Sequence, residues 1–299
     1  MAKFEIKDGI AIIPEGATMI RNYAFDDCRT LESIVIPESV TEIGNCAFIS
    51  CTSLKNIAIP KSVTKIGDNA FDGCSSLENI TLPESVTSIG WYAFSGCTSL
   101  KNITLPDSVT FLGENAFNGC TSLESITISK SVTRIDHYVF NNCSSLKSIT
   151  IPESVKDIGV GTFRWCSALE SITLPESVTR IGCYAFMGCT SLKNITIPES
   201  VTRIEQNAFK GCTSLTNVAI PESVREIEEY AFEGCTSLTT VILPVRMKEI
   251  NLTAFYKCPS LSTIYVPAEK TDYYKELLTE ELHGKIVELE PEKRTKVRN

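Results

Sequence analysis

Histidine is scarce in this chain: there are two, His137 and His283, in 299 residues. That leaves little material for imidazole catalysis or for a metal cluster built on histidine. Long apolar runs are missing too; no stretch approaches the ~18–20 residues that a membrane helix needs. Positive charge is in deficit, with 28 Lys and Arg against 36 Asp and Glu, a net charge of −8 and a pI near 5.1. Such a balance argues against nucleic-acid binding and against anionic membrane surfaces. The phosphate-loop, nucleophile-elbow and His-Glu-x-x-His motifs do not occur. No catalytic residue, no metal ligand and no cofactor are therefore expected. The opening segment, Met1 to Asp8, mixes acids with its lysines and has no apolar h-region. It reads as lacking a secretory signal, which favours the cytoplasm. The alternative is a surface or secreted protein whose leader has been replaced by Met1.

What the sequence does have is a period. Proline stands at 14, 37, 60, 83 and 106, then from 152 to 267, each step 23 residues except where Ser129 takes the expected place. Cysteine keeps the same period without a gap from Cys28 to Cys258, phenylalanine from Phe25 to Phe255 and leucine from Leu31 to Leu261. A fixed repeat of this length marks a stacked solenoid, in which each unit contacts only its neighbours.

One unit runs from Leu77 to Ser99. The alternation Asn79, Ile80, Thr81, Leu82 predicts a short half-buried strand. Pro83 has no N–H for a ladder and ends it. Val86 and Ile89 turn inward, and Ala93-Phe94 supply a small and a large core residue before Cys97 closes the coil. Gly90, with Gly44, Gly67, Gly113, Gly159 and Gly182 in the same place, is expected to adopt positive φ. No unit has room for a regular helix, so turns or single 3₁₀ turns are expected opposite the strands. The expected fold is an α/β leucine-rich-repeat solenoid, a right-handed superhelix of about 11 coils with a parallel sheet on its concave side.

The pattern LxxIxIPxSVTxIGxxAFxGCxS closely resembles the BspA-like, or Treponema pallidum-type, leucine-rich repeat family over roughly residues 10–290. The resemblance implies a bacterial or protist protein, commonly surface-exposed and engaged in adhesion or host-protein binding. It also implies a closing element over residues 267–289.

Thirteen cysteines suggest a disulfide or metal framework until their spacing is read. One per coil, stacked ~4.8 Å apart with parallel Cβ vectors, they cannot reach disulfide geometry. No C-x₂₋₄-C pair offers convergent metal ligands. They read as small buried hydrophobes, with Cys46 and Cys183 outside the column as candidate reactive or solvent-shielded thiols. Along the strand face, Glu32, Lys55, Glu78, Lys101, Glu124, Lys147, Glu170 and Lys193 alternate in sign, so neighbours attract. Columns of Asn or Ser and of Thr run beside them, either a solvated sheet or a surface for an extended partner.

Large residues break the repeat in the middle coils. Trp91 and His137 occupy the slot held by Asn22, Asn45, Asp68 and Glu114 elsewhere. Phe111 stands where Glu42, Lys65 and Ser88 do, and Arg134 follows it one coil on. Trp165 replaces a glycine or small polar residue beside Arg164, with Met187 one coil further. Aromatics next to arginine are the residue types of interaction hot spots. Trp91, Phe111, Arg134 and His137 are the candidate binding patch, with Arg164, Trp165 and Met187 as a second possibility; partly buried packing is the alternative for both. Tyr92, Tyr138, Tyr184 and Tyr230, in every second coil, read as packing. The expected function is a non-catalytic, monomeric module that binds another protein, and the alternative is a structural spacer.

Residues 1–13 read as a cap with a turn at Asp8-Gly9, and 14–266 as the solenoid. Residues 267–290 read as a closing cap, in which Thr271 caps a helix from Asp272 to Leu278 and Gly284 stops it before a strand over Lys285–Leu289. Residues 291–299 form a short basic tail.

Overall fold

The computed structural model describes residues 5–290, so the basic tail lies outside the described residues. The chain forms a parallel-strand solenoid, divided into one compact unit ending at Val155 and a second beginning at Lys156. In the first unit, three-residue strands recur at Ile10–Ile12, Ser33–Val35, Asn56–Ala58, Asn79–Thr81, Asn102–Thr104, Ser125–Thr127 and Ser148–Thr150. In the second they recur at Ser171–Thr173, Asn194–Thr196, Asn217–Ala219 and Thr240–Ile242, ending in the longer Thr263–Pro267. Register follows the sequence period: Ile80 pairs with Ile57, and Ile172 with Ile195. The strand Ile10–Ile12 pairs in parallel with Ser33–Val35, so the repeat already governs the segment expected to be a separate cap. That strand also forms the expected antiparallel hairpin with Ile6–Lys7.

Each coil carries a second, two-residue strand on another side, such as Glu42–Ile43, Ser88–Ile89 and Phe111–Leu112. Phe111 pairs with Ser88 and Leu112 with Ile89. The sequence reading placed only turns or 3₁₀ turns there. Single turns closed by bonds three residues back do form there, but among the described residues none extends into a 3₁₀ helix, because alternate N–H groups reach the next coil instead.

The turn segment shows how. In one coil the N–H groups of Tyr92, Phe94 and Gly96 donate to the carbonyls of Glu114, Ala116 and Asn118 at 3.0, 2.8 and 2.7 Å. The intervening Ala93, Ser95 and Cys97 donate three residues back within their own coil. Alternating directions in this way uses left-handed backbone at two places, Tyr92 (φ 55°) and Gly96 (φ 66°). The same two slots are left-handed at Asn69 and Gly73, and at Tyr184 and Gly188. Glycine and asparagine tolerate that region readily, whereas a tyrosine there costs roughly 1–2 kcal/mol.

The glycines expected to have positive φ do not have it. Gly44, Gly67, Gly90, Gly113 and Gly182 are needed for closeness instead: a Cβ on Gly90 would lie 2.6 Å from the carbonyl carbon of Gly67. Absence of a side chain lets successive coils touch backbone to backbone.

The core is a column of stacked rings. Phe25 and Phe48 lie 5.2 Å apart at 4° to one another, and the stack continues through Phe71, Phe94 and Phe117 to Phe140. A like stack runs from Phe163 to Phe255 in the second unit. Beside them the cysteines are free thiols, and nearly all are buried. They do more than fill space. Cys74 Sγ donates to the carbonyl of Phe48 at 3.1 Å, Cys97 to Phe71 at 3.2 Å and Cys120 to Phe94 at 3.1 Å. Each Phe carbonyl thereby takes a bond from the next coil as well as one from the cysteine N–H of its own.

Serine repeats the device at the strand exit, where Ser85, Ser108 and Ser154 donate to the carbonyls of Val63, Val86 and Val132 at 2.6 Å. The coil lacking proline adjusts locally. Ser129 Oγ takes over the Val109 carbonyl at 2.7 Å, and Ser131 moves to that of Asp107 at 2.7 Å. Outside the sheet, Lys55–Glu32 (3.8 Å), Lys147–Glu124 (3.7 Å) and Lys193–Glu170 (2.9 Å) form exposed pairs, each worth at most about 1 kcal/mol.

The closing element differs in detail from its expectation. The helix spans Thr271–Leu277 and its N-cap is Lys270, without a side-chain cap bond. Thr271 is instead the first helical residue, and its hydroxyl donates to Glu288 Oε1 at 2.7 Å. A second short helix, Glu280–His283, precedes the strand Ile286–Leu289, which pairs with Thr263–Pro267. Tyr274 is fully buried and its hydroxyl donates to the carbonyl of Pro244. His283 Nε2 lies 2.9 Å from the Lys275 carbonyl and 3.1 Å from that of Leu278, so this nitrogen carries the proton. Among the described residues no helix is long and apolar enough to cross a membrane.

Burial pushes the column thiols up, to about 12 for Cys120 and Cys212. In the unfolded chain they ionise near the ordinary value, so the unfolded state loses protons first as pH rises. Stability is then complete below about pH 8.5 and falls above it, by up to about 1.4 kcal/mol per pH unit for each buried thiol. Denaturant midpoints should drop steeply between about pH 8.5 and 10, and less steeply in a Cys97→Ala, Cys120→Ala double variant. A flat profile over that interval contradicts the buried column.

Candidate interaction surface

The first unit carries Trp91, Phe111, Arg134 and His137 on adjoining coils. Trp91 is 54% exposed and Phe111 46%. Phe111 lies on a second-sheet strand, so its outward position follows from alternation with buried Leu112. Arg134 lies on the equivalent strand Arg134–Ile135 one coil on. Its guanidinium reaches Asp136 at 3.2 Å and remains partly open to solvent. His137 is half-buried, and its backbone N–H donates to Asp136 Oδ1 at 2.9 Å.

Trp91 interrupts an order that the earlier coils keep. The side-chain oxygen of Asn22 accepts the Asn45 N–H at 2.8 Å, that of Asn45 accepts the Asp68 N–H at 3.0 Å, and that of Asp68 accepts the Trp91 N–H at 2.9 Å. Indole has no acceptor oxygen, and the ladder stops there. A hydrogen-bonding residue has been exchanged for an exposed aromatic one.

The second group sits in the other unit and is built differently. Trp165 occupies the second left-handed slot at φ 62°, where most coils have glycine. Its ring covers Gly188 so closely that a Cβ there would lie 2.3 Å from the indole Cε3. The Arg164 guanidinium carbon lies 5.8 Å from the Trp165 ring and 5.9 Å from that of Tyr184, and Met187 beside them is half-buried. Arg164 is thus held by the two rings, while Trp165 is 44% exposed. Tyr138, Tyr184 and Tyr230 are half-buried, as packing residues would be, while Tyr92 is 40% exposed.

Sequence reasoning missed Asp136. It occupies the tight-glycine slot, a place also taken by Glu205 and Glu228. In each case an arginine answers the carboxylate: Arg180 reaches Glu205 at 2.9 Å, and Arg203 reaches Glu228 at 3.1 Å. The replacement of glycine by a carboxylate at three positions was the available signal. Cys183, one of two thiols outside the column, donates to Glu205 Oε2 at 3.2 Å. Burial and that carboxylate push its thiol up to about 11, away from nucleophilic behaviour.

The model of the BspA type leucine-rich repeat region matches residues 9–94, 64–179 and 156–281. The chain belongs to the BspA-type leucine-rich repeat family. Among solved structures, this BspA-type chain is similar to a leucine-rich cell surface protein from Faecalibacterium prausnitzii (30% identity, 91% of this chain and 90% of that one, TM-score 0.53). It is also similar to a leucine-rich repeat protein of Treponema pallidum (29% identity, 64% and 89% coverage, TM-score 0.53). A third relative is a leucine-rich repeat protein from Eubacterium ventriosum (25% identity, 88% of each chain, TM-score 0.53). A search of curated proteins finds no match. The expectation of a cytoplasmic setting gains no support from these relatives.

If Trp91 is placed for contact rather than for packing, Trp91→Asn restores the accepting oxygen. Stability should then hold or rise, by about 1 kcal/mol at most. Urea unfolding measures this, and a fall of about 2 kcal/mol would show the indole to be structural.

Proposed function

We propose that this protein is a non-catalytic module that binds another protein through the patch of Trp91, Phe111, Arg134 and His137. The observation that carries the reading is the exposure of Trp91 and Phe111 in slots that neighbouring coils fill with short polar or charged residues. Large apolar side chains held out to water on a rigid frame, with a guanidinium alongside, have the composition of an energetic anchor. A spacer has no use for them. The second group is the weaker candidate because its guanidinium, Arg164, lies against the Trp165 and Tyr184 rings, although Trp165 itself is 44% exposed. The cell-surface description of the Faecalibacterium relative supports a surface location and a partner outside the cell.

A second reading, a structural spacer, draws on the paired Glu and Lys columns, which stabilise the sheet face without needing a ligand. The two readings part at the patch. Against surface proteins of its natural setting, immobilised and tested by interferometry, the native chain should bind. A folded Trp91→Ala, Phe111→Ala double variant should lose at least about 2 kcal/mol, or roughly thirtyfold in affinity. Unchanged affinity in that variant removes the patch and returns attention to the Asn and Thr columns.

A further inference from the structure

The structure assigns a binding site for one divalent first-row cation, of the zinc type, to Glu114, Asp136 and His137. One ligand atom from each of these half-buried residues lies within 4.8 Å of the other two. Among the described residues it is the one group of three or more such side chains that converges so closely.

Two features of the chain bring these donors together. Glu114 and His137 share a slot on successive coils, 23 residues apart, so stacking sets them side by side. The Asn115 N–H donates to the His137 carbonyl at 3.0 Å and locks the two coils at that point. Asp136 then enters from the position where Gly90 and Gly113 stand in the preceding coils. A residue there lies against the coil before it, since a Cβ on Gly113 would be 2.6 Å from the Gly90 carbonyl carbon. A carboxylate in this slot is thus directed at the seam between coils, where Glu114 and His137 meet.

The donor set defines the ion. One imidazole nitrogen with two carboxylate oxygens suits zinc and its first-row neighbours, whereas calcium and magnesium favour oxygen alone. His137 Nε2 already lies 3.7 Å from Asp136 Oδ1. Ligand atoms around a tetrahedral zinc stand about 3.3 Å apart, given bond lengths near 2.0–2.1 Å. Closing the difference takes side-chain rotation of about an ångström, which in Asp136 draws Oδ1 away from the His137 backbone N–H that it accepts at 2.9 Å. Three protein ligands leave the remaining position to water or to an incoming group.

Arg134 is the built-in rival. Its Nη2 lies 3.2 Å from the same Asp136 Oδ1, so the guanidinium neutralises the carboxylate that the ion needs. Binding of the cation displaces this contact. The consequence separates a ligand site from an ordinary surface ion pair, because removal of a positive side chain should improve binding while removal of the donors should weaken it.

Isothermal titration of the full chain with zinc chloride tests the assignment. Cys28, Cys46 and Cys183, the cysteines that are not fully buried, are first changed to serine so that thiols do not compete. The expected result is saturable binding of one equivalent and a rise in the unfolding temperature on adding zinc. His137→Gln and Asp136→Asn should each weaken binding about tenfold or more, and Arg134→Gln should tighten it. Glu114→Gln, at a half-exposed position, replaces Asp136→Asn if the latter fails to fold. Absence of saturable binding, or affinity unchanged in the folded His137→Gln and carboxamide variants, overturns the site.

Discussion

Backbone hydrogen bonds between coils govern this molecule, and they run on every side. Polar backbone groups that are buried must find partners. A coil of 23 residues contains no helix, and its turns supply only some of them internally, so it must take the rest from its neighbours. The strand at Asn79–Thr81, the short strand at Ser88–Ile89 and the turn at Tyr92, Phe94 and Gly96 each donate to or accept from an adjacent coil. Side chains complete the exchange where backbone cannot. A cysteine thiol, a serine hydroxyl and an asparagine carboxamide each bond to the preceding or following coil at one fixed slot. This requirement explains why the inward positions hardly vary. A substitution that disturbs one slot unsettles the two coils beside it.

Most of the variation falls at positions that point outward or lie at the seams between coils, and there the molecule can present chemistry. Trp91 abandons the accepting ladder of Asn22, Asn45 and Asp68. Asp136, Glu205 and Glu228 abandon the tight glycine, and Arg134, Arg180 and Arg203 answer them. Trp165 accepts left-handed backbone that glycine adopts without cost, and it covers the glycine of the next coil. Each departure gives up a small local stabilisation for an exposed or charged side chain. Strain and broken ladders of this kind concentrate where a surface has been put to use.

Much of this was legible in the sequence because one period controls everything. Residues such as Ile80, Phe94 and Cys97 announced their burial by recurrence, and the strand ending at Pro83 was readable from its alternation. The second strand was not, since a two-residue element such as Ser88–Ile89 has too few positions to show a period of two. The role of Gly90 was misread for a related reason. A glycine tolerated for its φ and one needed for closeness look identical in sequence, and only the backbone of Gly67 distinguishes them. The thiol bond to the Phe carbonyl was hidden because cysteine spacing conveys burial but not donor direction. At the surface, Trp91 and Phe111 were visible as interruptions, whereas Asp136 emerges only when its slot is compared with those of Gly90 and Gly113.

Native-state amide hydrogen exchange tests the central claim most directly. The turn at residues 92–97 has the appearance of a connecting loop, yet its alternate N–H groups bond to the next coil at 2.7–3.0 Å. If coils are joined on all sides, the amides of Tyr92, Phe94 and Gly96 exchange as slowly as those of the strand Asn79–Thr81, in a single protected core. Exchange of these three amides at the rate of an open loop, with protection limited to the strands, would contradict it.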